Sequence, residues 1–88
     1  MWIIYNINSY NLDYISSIRK DLNYSNQIEM MENSISRYFT FQSIEMRDKV
    51  LEEIQRQLLA KKEFINISEI EEEMKNSALS FEEFQKGK

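Results

Sequence analysis

The sequence predicts a small single α+β domain. An antiparallel sheet of three or four strands carries two helices on one face, in the ferredoxin-like order βαββαβ, and a helical tail follows. Three observations predict it. Residues 43–62 (SIEMRDKVLEEIQRQLLAKK) place Met46, Val50, Leu51, Ile54 and Leu58 on one arc and Asp48, Lys49, Glu52, Glu53 and Arg56 on the other. That is an amphipathic helix with a stripe to bury. Residues 1–7 and 64–68 are short and rich in β-branched and aromatic side chains, as strands are. Residues 34–41 alternate, with Ile35, Arg37, Phe39 and Phe41 set against Ser36, Tyr38 and Thr40.

Taken in order, residues 1–7 (MWIIYNI) are apolar on both faces, which places the strand centrally or under cover on both sides. Residues 10–22 read as a first helix, because Leu12, Ile15, Ile18 and Leu22 recur at spacings of three, three and four, with Ser9 or Asn11 as its cap. Residues 23–26 (NYSN) form a turn. Residues 27–32 read as the hairpin partner of 34–41, turning at Glu32, Asn33 and Ser34. The alternative is a short helix, since Met and Glu favour helix. In the long helix Ser43 is the expected cap, and Glu45 with Lys49 and Glu52 with Arg56 are the expected i,i+4 pairs. Residues 64–68 are the last strand. Ser68 and Glu71 fit a capping box that starts a helix at 68, and Ser80 with Glu83 fits a second one. The expected organisation is an α+β core over 1–68 and an acidic helical tail over 69–88, either part of the same domain or a docking segment.

Composition narrows the function classes. The chain has 88 residues, no Cys, no His, no Pro and a single glycine, Gly87. Thiolate and imidazole metal sites, thiol catalysis and the usual neutral-pH proton shuttle are therefore missing. No internal glycine is present to build a phosphate-cradling loop. No cofactor and no metal are expected, and no enzymatic activity. Ser16, Ser17 and Lys20 lack the oxyanion glycine a Ser–Lys nucleophile needs. No apolar run is long enough to span a membrane, and the N-terminus lacks the cationic region of a signal peptide. A cysteine-free domain of this size is expected in the cytoplasm. The abundance of Asn, Ile, Lys, Glu and Tyr follows A/T-rich codons, which points to an A/T-rich bacterium or its phage or other mobile element.

Charge is uneven. Net charge is −1 over residues 1–42, +1 over 43–62 and −4 over 63–88, so the whole excess of −4 lies in the last third. Glu69, Glu71, Glu72, Glu73, Glu82 and Glu83 make an acidic tail, and Leu79, Phe81 and Phe84 give it an apolar tip. These nine residues are the candidate partner-binding set. The glutamates are a solvated helix face in the plain reading. In the functional reading they stand in for nucleic-acid phosphates in the basic groove of a partner, or hold Mg²⁺ or Ca²⁺, although no EF-hand spacing exists. The apolar tip either folds back on the sheet or docks on a partner or a second copy. Arg47 falls inside the apolar arc of the long helix. It is either an anchor for an anion or a stem lying along the helix with its charge in water. The five tyrosines permit an RNA-stacking sheet face. Against that stand the negative charge and the absence of a basic–aromatic signature, and Trp2, Phe39 and Phe41 read as core.

The expected function is that of a small non-enzymatic protein-binding module that occupies or modulates a partner, or pairs with itself. Inhibition of a nucleic-acid enzyme is its narrower form. The alternative is an RNA-binding ferredoxin-like module using the sheet face and a basic set of Arg19, Lys20 and Arg37. The negative charge argues against a nucleic-acid partner, and no membrane partner is expected.

Overall fold

The computed structural model of the chain describes residues 1–86, with side chains described through residue 76. Two strands, β1 (Trp2–Tyr5) and β2 (Asn8–Asn11), form an opening hairpin. Its turn is closed by Asn6 at φ 56°, a left-handed conformation that Asn tolerates better than most residues. The Asn6 amide donates to Ser68 Oγ at 2.8 Å, tying the turn to a distant part of the chain. Asn11 Oδ1 then accepts from the Asp13 amide at 3.0 Å and opens a single 3-10 turn, Leu12–Tyr14. The chain continues through β3 (Ile15–Lys20), β4 (Gln27–Glu32), β5 (Ile35–Thr40), α1 (Ile44–Leu59), β6 (Phe64–Asn66) and α2 (Ile67–Lys86).

The strands make two three-stranded sheets, ordered β2-β1-β6 and β3-β4-β5. The α+β class, the long helix, the hairpin over 27–41 and the central position of β1 are as the sequence predicts. The order βαββαβ is not, nor is a single antiparallel sheet with both helices on one face. Where a first helix was expected, the chain makes β2, the 3-10 turn and β3. Moreover, β1 runs parallel to β6.

The missing helix has a definite cause. Ile15 pairs with Glu32 and Ser17 with Met31, so a β-bulge at Ser16 adds one residue to β3. The bulge puts Ile15 and Ile18 on the same face of a strand, although they are three residues apart. A spacing that mimics a helical turn is thus satisfied by an irregular strand. Leu22, which completed the apparent stripe, is 89% exposed in the loop after β3.

One core joins all the layers. Ile3 and Ile65 from the first sheet meet Ile28, Met30 and Phe39 from the second. Val50, Leu51 and Ile54 of α1 and Ile67 and Ile70 of α2 close it. Phe39 is the hinge of the contact between sheets, with the Tyr5 ring at 4.7 Å and the Tyr10 ring at 6.1 Å from its centroid. These tilted and edge contacts suit aromatic quadrupoles. The outer face of β3-β4-β5 is closed by polar pairs instead. Arg19 meets Glu29 at 2.8 Å, Tyr38 Oη donates to Glu29 at 3.2 Å, and Gln27 donates to Thr40 at 2.9 Å.

The helix ends are specific. Ser43 Oγ accepts from the Met46 amide at 3.1 Å, the expected cap of α1. At the other end, the Lys61 amide donates to the Leu58 carbonyl and the Lys62 amide to the Gln57 carbonyl, both at 3.1 Å. This is a Schellman closure, with Lys61 at φ 55° in the place usually held by glycine. The cap of α2 is Asn66, whose Oδ1 accepts from the Glu69 amide at 3.0 Å. The expected cap, Ser68, is engaged with Asn6 instead. The second capping box at Ser80 starts no new helix, since α2 runs unbroken from Ile67 to Lys86.

Candidate partner-binding surface

The outward face of the first sheet follows from its register. Trp2 is the cross-strand partner of Phe64, and Ile4 of Asn66, so Trp2, Ile4 and Phe64 share the face opposite to buried Ile3 and Ile65. Trp2 is 40% exposed and Phe64 56% exposed. Two aromatic rings therefore stand on neighbouring strands with part of their surface in water. The expectation that Trp2 is a core residue is corrected by this pairing, whereas Phe39 and Phe41 are buried as expected. Residues 2–5 are apolar on both faces, so the sequence carries no signal for which side stays open; the parallel pairing with β6 and the exposure of Trp2 and Phe64 show it.

Ile4 and Phe64 also line a groove of about 430 Å³. One wall is the last part of α1, with Glu53, Arg56 and Gln57; the other is the start of α2, with Glu69, Ile70 and Glu73. Lys62 stands at the rim, and Asn66 lies between the helices. The volume falls within the range typical of ligand pockets, but the lining is far richer in charge than such pockets are.

Glu53 is the electrostatic centre of the first wall. It accepts from Arg56 Nε at 2.8 Å and from Gln57 Nε2 at 3.1 Å, and it also pairs with the Arg56 Nη2 group. The Arg56 hydrogen bonds, reinforced by Gln57, hold its carboxyl down to about 2, and the same contact raises the Arg56 guanidinium above its ordinary value. The expected partner of Arg56 was Glu52. Glu53 takes that role because it faces the groove, where Gln57 joins the same carboxylate. Neither Glu45 with Lys49 nor Glu52 with Arg56 is an ion pair among the described residues.

The expected acidic set divides in two. Glu69 and Glu73 line the groove, and Glu72 is exposed beside them. Glu71 is turned elsewhere, with Lys75 Nζ at 3.0 Å and Tyr5 near enough for their fields to interact. Burial first, and then Glu71, pushes the Tyr5 hydroxyl above its ordinary value. The side chains of Leu79, Phe81, Glu82, Glu83 and Phe84 lie outside the described residues. No group of three or more potential metal-ligating side chains converges among the described residues. Also among the described residues, no helix is long and apolar enough to cross a membrane. No family model, curated protein or solved structure matches the chain.

Arg47 follows neither sequence reading. It is 6% exposed, with its Nε donating to Asp48 at 2.7 Å and its Nη1 lying 3.5 Å from the Gln27 carbonyl. The side chain thus ties α1 to the edge of β4. The basic set that an RNA-binding face would need is also engaged. Arg19 pairs with Glu29, Lys20 with Asp48 at 3.6 Å, and Arg37 with Glu32 at 3.4 Å while lying 5.9 Å from the Tyr10 ring.

Proposed function

We propose that this chain is a small non-enzymatic protein-binding module, acting in the cytoplasm by occupying or modulating a partner protein. The observation that carries the reading is the paired exposure of Trp2 and Phe64 on one sheet face beside a charged groove. Large aromatic side chains at the centre of a patch, ringed by charge, are what contact hot spots are made of. The surface comprises Trp2, Ile4 and Phe64 with Glu69, Glu72 and Glu73 of α2. Glu71, Leu79, Phe81, Glu82, Glu83 and Phe84 extend the contact only if the rest of α2 takes part. A narrower form makes the module an inhibitor of a nucleic-acid enzyme encoded by a phage or mobile element, with the glutamates in the place of phosphates. Self-association through the same face is the remaining form.

The RNA-binding reading draws less support. Tyr38 is the one aromatic residue and Arg19 the one basic residue on the outer face of β3-β4-β5, since the register puts Lys20 and Arg37 on the side of Ile28 and Met30, and each of the three cations faces an acid.

The test is affinity capture from the native host with the tagged chain, with and without nuclease, beside a Trp2→Ala/Phe64→Ala variant shown to be folded by circular dichroism. A partner retained after nuclease and lost with the variant is the expected result. Capture unaffected by the double substitution overturns the assignment of this face. Capture that nuclease abolishes transfers the function to nucleic acid.

A further inference from the structure

Resting on the reading just given, we infer that the groove receives a lysine or arginine side chain from a basic segment of the partner protein, with a neighbouring apolar side chain laid on Trp2 and Phe64. The inference follows from which charges of the groove are already engaged. Glu53 is held by Arg56 and Gln57. Asn66 Oδ1 is taken by the Glu69 amide at 3.0 Å. Of the groove's acids, Glu69 and Glu73 have no ion-pair partner among the described residues. They lie one helical turn apart on the same wall, a like-charge i,i+4 pair that disfavours its own helix. The next acid along α2 is treated differently, since Glu71 has Lys75 one turn on at 3.0 Å.

The three glutamates of the groove exceed Arg56 and Lys62 by one negative charge, and Arg56 is already committed to Glu53. An incoming anion would meet the Glu69 and Glu73 carboxylates, whereas an incoming cation relieves their repulsion. The floor suits the stem of such a side chain. Ile4 and Phe64 offer apolar surface along which the methylenes lie while the charged head reaches the acids. Phe64 and Trp2 next to it give the cation, and the apolar neighbour, an aromatic face. The occupant is therefore basic and apolar at adjacent positions.

A random 12-residue peptide library displayed on phage, selected against the immobilised full chain, tests this directly. The expected winners carry Lys or Arg beside an aromatic or aliphatic residue. Their binding falls about tenfold in a Glu69→Gln/Glu73→Gln variant and weakens as salt rises, the scale expected when two exposed charge contacts are lost. Both glutamates are exposed, so this variant keeps the fold. Uncharged winners that are lost with Trp2→Ala/Phe64→Ala but not with the glutamine pair would overturn the inference and leave the surface standing. Acidic winners would also overturn it. No enrichment over bare resin would count against the surface and the inference together.

Discussion

At the scale of single residues, the described part of the chain meets glycine's tasks with other residues. Among the described residues, four non-glycine residues take positive φ: Asn6, Asn33, Ser34 and Lys61. Asn33 and Ser34, at φ 48° and 68°, form the two-residue turn of the β4–β5 hairpin, a type I′ geometry for which Asn-Gly is the preferred pair. Replacing Ser34 with Gly should stabilise the fold by about 0.5–1 kcal/mol, read as a shift in the urea midpoint at constant slope. A loss of stability would mean that the turn is not the one described. Glu53 offers a second test. Its folded value of about 2 lies below the ordinary 4.5, so its contribution is present above about pH 4.5 and fades as pH falls toward 2. The stability difference between the native chain and Glu53→Gln should therefore shrink across that window. The effect is small, because Arg56 is mostly in water and surface pairs are screened. A difference that stays constant from pH 5 to 2 would show that the pair does not form in solution.

At the scale of elements, legibility in the sequence depended on regularity. The amphipathic stripe of α1 is regular and reads directly. Val50, Leu51 and Ile54 are buried, and Leu59, one residue past the stripe, is 85% exposed. Ile54→Ala should cost about 2–5 kcal/mol by leaving a cavity, a large fraction of a small domain's stability, whereas Leu59→Ala should change it by no more than about 0.5 kcal/mol. Equal effects in thermal melts would contradict the orientation of the helix. The hairpin over 27–41 was legible for the same reason, through the alternation of Phe39 and Arg37 with Tyr38 and Ser36. β3 was not. Its bulge at Ser16 breaks the two-residue period and leaves Ile15 and Ile18 at a helical spacing. Asn66 caps α2 in place of Ser68, the residue the capping-box motif favours two positions later. Which of the two serves is decided by Asn6, some sixty residues away in sequence, which engages Ser68.

At the scale of the whole molecule, the candidate surface was half legible. The acidic run of α2 is plain in the sequence, and Glu69 and Glu73 do face the groove. The other half, made by Trp2, Ile4 and Phe64, depends on a parallel pairing between the two ends of the core that no local pattern encodes. Such non-local pairing also puts Arg56 and Lys62 opposite the acids of α2. The account's central claim is that this composite face is where the molecule meets another protein. Amide hydrogen exchange of the chain, free and bound to its captured partner, tests it most directly. The account predicts slowed exchange in β1, β6 and the first turns of α2, with β3, β4 and β5 unchanged. Protection confined to the outer face of β3-β4-β5, with β1 and β6 exchanging as in the free chain, would contradict it.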